Sequence, residues 1–162
     1  MSWSSADLCD RSAPGELLIL PGPWRSFGAV SQFCGPVVTL VANGCNAELR
    51  ALLAEPGAGR VLLVEGGSHV GALLGDRLAA LAAGNGWAGV VIAGAVRDCR
   101  ALRTIELGVI ALGTWPERSA NRAGGRVGVA LDLGGSRIEP GYWLYADEDG
   151  VLVCRQPLTD TY

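Results

Sequence analysis

Gly75-Asp76-Arg77-Leu78, a short apolar helix, Gly84-Asn85-Gly86-Trp87, a strand-like Ala88-Gly89-Val90-Val91-Ile92 and then Gly94-Ala95-Val96-Arg97-Asp98: read in this order, residues 75–98 place two carboxylates and an arginine at two consecutive turns. From Asp76 to Ala83, Leu78, Leu81 and Ala82 recur at helical spacing and form one apolar face. Gly84-Asn85-Gly86 suits a left-handed C-terminal cap. The apolar run that follows has the length and β-branching of a strand. Arg97-Asp98 then opens another short helix, with Asp98 expected at the positive end of that helix's dipole.

Working outward, two more continuous apolar runs precede this stretch. Val37-Val38-Thr39-Leu40-Val41 follows Pro36, and Arg60-Val61-Leu62-Leu63-Val64-Glu65 is followed at once by Gly66 and Gly67; both have the pattern of strands covered on two faces. Between them Asn43-Gly44 marks a turn, Asn46 is a candidate N-cap, and Leu49, Leu52 and Leu53 line one face of a helix through Glu55, stopped by Pro56-Gly57. Leu107 to Leu112 is a fourth apolar strand. Upstream, residues 1–15 read as a polar lead-in, Glu16 to Leu20 as a short strand ended by Pro21-Gly22-Pro23, and Phe27-Gly28-Ala29 and Phe33-Cys34-Gly35 as turns.

Residues 113–125 read as a long polar surface loop. Beyond it the period becomes two: Val127, Val129, Leu131 and Leu133 alternate with Gly128, Ala130 and Asp132, the signature of an antiparallel strand buried on one side. Gly134 to Arg137 suits a hairpin turn, with further strands at 141–145 and 151–154. The expected architecture is an α/β fold of the layered β/β/α kind, with a parallel βαβ centre and flanking antiparallel strands. At 162 residues and 49% hydrophobic content the chain suits one compact domain, 1–162, with one sizeable core.

Composition excludes several classes of function. A formal net charge of −3 and a pI near 5.1 speak against a protein built to neutralise phosphates, so no direct nucleic-acid partner is expected. No window approaches the roughly 20 continuous apolar residues of a membrane span. Asp7, Asp10 and Arg11 near Met1 do not suit a signal peptide, and a cytoplasmic location is expected. Charged residues are only 18% of the chain, below the usual quarter, which suggests surface buried in a homo-oligomer. Five widely spaced cysteines and one histidine, His69, make neither a disulfide framework nor a zinc pattern. Reduced, buried thiols are expected.

In parallel units the turns after neighbouring strands share one edge of the sheet, where ligands bind. Asp76, Arg97 and Asp98 are therefore expected to converge. The glycines before Asp76 (Gly66, Gly67, Gly71, Gly75) let backbone N–H groups approach an anion, and the following helix adds its dipole. Arg97 offers a planar fork for a carboxylate or keto oxygen. Asp98 is a hard oxygen ligand suited to Mg²⁺ or Mn²⁺, ions that few protein groups can hold when waters complete the shell.

Asp76, twenty intervening residues and then Arg97-Asp98 stand in a frame of Val-Glu-Gly-Gly-Ser, Gly-Asp, Gly-Trp-Ala-Gly-Val-Val-Ile and Gly-Ala-Val-Arg-Asp. This pattern closely resembles the RraA-like family, which includes class II 4-hydroxy-4-methyl-2-oxoglutarate aldolases and the regulator of ribonuclease E activity. The likeness runs from Asp7-Leu8-Cys9-Asp10 through Ser26-Phe27-Gly28 to Tyr145-Ala146-Asp147-Glu148-Asp149-Gly150-Val151. It implies a swivelling β/β/α fold, homotrimers or dimers of trimers, and sites at subunit interfaces. It further implies that Asp98 is the direct ligand of a divalent cation and that Arg97 binds the substrate carboxylate and keto oxygen. The backbone of Gly75, Asp76, Arg77 and Leu78 would contact a carboxylate, with Asp76 helping to place a water. The implied reactions are retro-aldol release of pyruvate from 4-hydroxy-4-methyl-2-oxoglutarate and, as a side activity, decarboxylation of oxaloacetate. The alternative is a non-catalytic inhibitor of RNA decay that binds a ribonuclease or helicase.

The chain departs from the family's aldolases in two places. Ala101 stands where some carry an extra acid three residues after the Arg-Asp pair, and a C-terminal acid supplied by a neighbouring subunit has only Glu148 or Asp149 as candidates. A menaquinone-pathway methyltransferase would call for a G-x-G-x-G loop after a first strand, which the chain lacks. His69 is read as a bystander, Cys99 as a packing residue, and Trp87 and Trp143 as core or interface anchors.

Overall fold

A computed structural model describes residues 2–68, 70–120 and 124–158. In chain order its elements are α1 (Ser5–Arg11), β1 (Leu18–Ile19), β2 (Arg25–Ser26), β3 (Phe33–Val41), α2 (Ala47–Leu53), β4 (Val61–Glu65), β5 (Ala72–Leu74), α3 (Asp76–Gly84) and β6 (Gly89–Val96). They continue with α4 (Cys99–Leu102), β7 (Gly108–Thr114), β8 (Arg126–Val127), β9 (Leu131–Leu133), β10 (Ser136–Ile138), β11 (Trp143–Ala146) and β12 (Val151–Cys154). No helix among the described residues is long and apolar enough to cross a membrane.

The continuous apolar runs become the middle of a sheet. Among the described residues the order is β1-β12-β11-β3-β4-β6-β7-β2, with β5 added beside β6 and β8 beside β3. β3, β4, β6 and β7 run parallel. β11, β12, β1 and β2 flank them antiparallel. The expected parallel centre with antiparallel flanks is therefore present. Because alternate residues of a strand point to opposite faces, Leu62, Val64, Val90 and Ile92 join a core under the helices, with Leu49, Leu53, Ala79 and Ala82. Val61, Leu63 and Val91 join a second core with Leu131, Ile138, Leu144 and Val153. Two covered faces are why these strands show no polar alternation.

β3 is the hinge between the two parts of the sheet. Its residues 33–36 pair with β11, and its residues 37–41 pair with β4. Phe33-Cys34-Gly35, expected as a turn, is thus strand. The Phe33 side chain is buried against Gly89 and Gly108, which face each other in β6 and β7. A Cβ at either glycine would lie 2.3 or 2.1 Å from the ring, so both positions have to be glycine for the aromatic ring to seat.

Other expectations are corrected. The polar lead-in contains α1, whose Ser4 hydroxyl caps the Asp7 N–H and whose Leu8 is buried beside Trp3, Tyr145 and Leu152. Three buried residues in a short polar segment give no periodic signal. The strand expected through 127–133 is broken where Gly128 takes φ +72, leaving β8 and β9 as separate pieces and Val127 exposed. Gly134 and Gly135, both at positive φ, turn β9 back into β10, so Ser136 and Arg137 belong to a strand. The glycine-rich approach to Asp76 contains β5, paired with β6. Helix α2 starts after Asn46 as expected, although Asn46 makes no side-chain capping bond.

Candidate functional site

The carboxyl ends of β5 and β6 set the site. β5 ends at Leu74 and runs through Gly75 into α3; β6 ends at Val96 and runs through Arg97 and Asp98 into α4. The Arg97 N–H donates to the Leu74 carbonyl at 3.0 Å, which locks the two turns side by side. Asp76, Arg97 and Asp98 converge, as parallel topology requires. They line one cleft of about 500 Å³ together with Gly75, Arg77 and Leu78.

Asp98 adopts the left-handed backbone conformation, φ 61 and ψ 41. Aspartate tolerates this region better than most residues, yet it is a strained position for any side chain with a Cβ. The consequence is a reversal of the expected electrostatics. The Asp98 carboxylate makes no capping bond to its own short helix α4; its Oδ2 instead accepts the backbone N–H of Asp76 at 3.1 Å, the first residue of α3. The positive end that it meets is therefore that of α3.

Gly75 makes this contact possible. Its φ of −134 and ψ of −164 are open to any residue, but a Cβ there would lie 2.5 Å from Asp98 Oδ2. A side chain at position 75 would therefore push the Asp98 carboxylate out of this contact. Gly66 and Gly71, expected to help cradle an anion, serve packing instead: a Cβ at Gly66 would meet the Ala93 carbonyl at 2.6 Å, and one at Gly71 the Ser119 backbone at 2.4 Å. The N–H groups of Arg77 and Leu78 have no backbone acceptor among the described residues.

Arg97 is partly buried, and its guanidinium donates to the Pro116 carbonyl at 3.4 Å. Asp76 and Asp98 are exposed. No group of three or more histidine, cysteine or acidic side chains gathers among the described residues. The donor set nonetheless fits a hard cation held through one carboxylate with water filling the other positions: the second oxygen of Asp98 has no donor among the described residues, and Asp76 lines the same cleft. A soft or zinc-type metal finds no cluster of its ligands among the described residues.

Sequence reading missed Asn46, Arg50 and Arg118, which line the same cleft. Arginines are interleaved with acids along the whole chain, so nothing in their spacing marks these two. His69 lies outside the described residues, as do positions 121–123 of the expected surface loop. Glu148 and Asp149 are exposed in the turn between β11 and β12 and do not line the cleft. Cys99 packs against the helix-side core, Trp87 is buried with its indole N–H on the Glu55 carbonyl, and Trp143 joins the Trp3 and Tyr145 cluster, all as expected.

A strained aspartate, an arginine and a helix N-terminus meet at the carboxyl edge of a parallel sheet, the edge where ligand sites of α/β scaffolds lie, and make this cleft the candidate site. The chain belongs to the RraA-like family: the profile described as Aldolase/RraA matches residues 5–153. A protein of Burkholderia multivorans carrying the provisional name 4-hydroxy-4-methyl-2-oxoglutarate aldolase is 44% identical over 164 residues, covering 98% of this chain and 100% of that relative. Among solved structures, the RNA-processing inhibitor RraA from Thermus thermophilis superposes with a TM-score of 0.90 at 42% identity, covering 99% of this chain and 98% of that one. A structure titled S-adenosylmethionine: 2-dimethylmenaquinone methyltransferase, from Geobacillus kaustophilus HTA426, gives 0.91 at 40% identity and 99% coverage of both chains. Three different activities are thus named for relatives that share one fold, so the fold alone does not fix the reaction.

Proposed function

We propose that the chain is a single-domain, divalent-metal-dependent lyase that cleaves 4-hydroxy-4-methyl-2-oxoglutarate to two molecules of pyruvate and decarboxylates oxaloacetate as a side activity. The observation that carries this reading is the Asp98 carboxylate, held in a strained conformation beside Arg97 and the N-terminus of α3 in an open cleft. Asp98 would hold Mg²⁺ or Mn²⁺, which when bound supplies Lewis-acid stabilisation of negative charge at the 2-keto oxygen. Arg97 would bind the adjoining carboxylate and share that charge through its planar fork. The free N–H groups of Arg77 and Leu78, with the dipole of α3, favour the same carboxylate.

Asp76 would orient a water that takes the proton of the 4-hydroxyl. As that proton leaves, a carbonyl forms at C4, the C3–C4 bond breaks and its electron pair moves toward C2; protonation at C3 completes the second pyruvate. In oxaloacetate the same electron flow releases carbon dioxide.

A second reading, an inhibitor of RNA decay acting on a ribonuclease or helicase, is favoured by the Thermus match. A regulator has no need of an aspartate strained into a cleft, which favours the lyase. A homotrimer is also proposed: Val70 and Trp115 are 68% and 44% exposed beside an apolar groove with Ala95 and Leu112. A coupled lactate dehydrogenase assay tests the lyase: pyruvate release is expected with Mg²⁺ or Mn²⁺ and lost with chelator and in Asp98→Ala. Full activity in Asp98→Ala would sink the reading.

A further inference from the structure

Beyond Arg97, the cleft continues. A second hollow of about 520 Å³ adjoins the first and shares Asn46, Arg50 and Arg118 with it. We propose that Arg50 and Arg118 bind the second carboxylate of a dicarboxylic 2-oxo acid, and so select that class over monocarboxylic 2-oxo acids of the same length. The proposal deepens the lyase reading and rests on it for the orientation of the substrate, whose first carboxylate lies at Arg97 and α3.

Charge is the first support. Every one of the 13 basic residues of this net-negative chain is an arginine, and four of them, Arg50, Arg77, Arg97 and Arg118, line the cleft against two aspartates. One carboxylate does not use four cations. Availability is the second. The guanidinium groups of Arg60, Arg97 and Arg137 have protein acceptors, whereas those of Arg50 and Arg118 have none among the described residues. Asn46 lines both hollows, and its amide is not spent on capping α2.

Rigidity is the third support. Arg118 lies outside the named strands, in an isolated bridge to Ala72, and its segment is tied down at alternate residues. The Trp115 N–H donates to the Val96 carbonyl at 3.0 Å, the Ala72 N–H to the Glu117 carbonyl at 2.8 Å and the Ser119 N–H to the Ala72 carbonyl at 2.9 Å. The buried Ser119 hydroxyl donates to the Gly44 carbonyl, in the turn that leads to Asn46 and α2. The bearers of Arg118 and Arg50 are therefore stitched to one another and to β5, which carries the metal-side turn. Such preorganisation is what a bidentate guanidinium needs to discriminate between anions.

The test is equilibrium binding by titration calorimetry of 2-oxoglutarate and of 2-oxopentanoate to the full chain with Mg²⁺. These ligands differ only in the distal carboxylate. The natural chain is expected to bind 2-oxoglutarate about tenfold or more tightly, as one charge-assisted pair supplies. In R50Q/R118Q the preference should fall to about twofold or less with 2-oxopentanoate binding unchanged, and R50K/R118K should restore part of it. A preference that survives in R50Q/R118Q overturns the proposal, as does its absence from the natural chain or failure of both ligands to bind. The coupled pyruvate assay separates this from the reading beneath it: no pyruvate with the preference intact removes the lyase and keeps the anion subsite, while pyruvate without the preference does the reverse.

Discussion

The Oδ2 atom of Asp98 accepts the backbone N–H of Asp76 at 3.1 Å, so two turns separated by 22 residues are joined by the side chain on which metal binding would depend. The space for that bond is the missing side chain of Gly75, where a Cβ would come within 2.5 Å of the same oxygen. Gly75→Ala should therefore displace the Asp98 carboxylate while leaving the fold intact, because the backbone at 75 is extended. Pyruvate release by G75A should fall by about two orders of magnitude, the scale on which small misplacements of catalytic groups act, with little change in melting temperature. A G75A variant with normal activity would show that the contact has no part in the reaction.

The seating of Phe33 between Gly89 and Gly108 predicts a stability effect remote from the cleft. Phe33 is buried and belongs to the second core, at the point where β3 changes partners. Phe33→Ala should cost about 3–5 kcal/mol, because the two glycines on its far side cannot fill the space. Gly108→Ala should also be strongly destabilising, since its Cβ would sit 2.1 Å from the ring. Denaturant unfolding of both variants checks this; a loss below about 1 kcal/mol in F33A would mean that the ring is not packed as described.

How much of this was legible in the residues depends on how local its cause is. β4, β6 and α3 follow from apolar runs and helical spacing, signals carried within each segment. Convergence of Asp76 with Arg97 and Asp98 was legible too, because parallel topology dictates it. Phe33-Cys34-Gly35 was not, since its pairing with β11 joins residues more than 100 positions apart. The same holds for the glycines: Gly89 and Gly108 look like weak points in strands until Phe33 is placed against them. The Asp98 carboxylate meets the dipole of α3 and not that of α4 because a left-handed backbone, which the sequence does not announce, swings it there. Arg50 and Arg118 reach the cleft only through the Ser119 and Ala72 stitches, a tertiary arrangement with no spacing signature.

Helix α1 is anchored through one carboxylate, and that makes its docking dependent on pH. Asp147 accepts the Ser5 N–H and the Ser5 hydroxyl, each at 2.7 Å, and the Asp149 N–H at 3.0 Å. Burial alone would push its pKa up; these donors outweigh it and hold the carboxyl below its ordinary value. A lowered folded pKa contributes stability at neutral pH that is lost as pH falls through it. Ser5→Ala should destabilise the chain by about 1 kcal/mol at pH 7. The gap between S5A and the natural chain should close under acid, once the carboxyl is protonated in both. Melting temperatures across the acid range test this; a gap that is constant with pH would assign the loss to packing of Ser5 instead.

Cys154 gives the opposite sign at alkaline pH. Its thiol is buried in β12 beside Trp3, Leu8, Tyr145 and Leu152, and its Sγ contacts the Gln156 carbonyl at 2.9 Å. Burial, with a smaller contribution from the Glu16 charge, pushes its pKa from 9.0 to about 11. A raised folded pKa means that stability is intact below the ordinary thiol value and declines between about pH 9 and 11, where the unfolded chain ionises first. Thiolate is the reactive form, so alkylation of the native chain near pH 8 should modify exposed Cys9 and spare Cys154 until the chain unfolds. Mass spectrometry of the alkylated peptides decides it: labelling of Cys154 at the rate of Cys9 would mean that β12 and the aromatic cluster around it open in the native state. Cys154→Val should flatten the alkaline limb of the stability profile and leave the acid limb set by Asp147 unchanged.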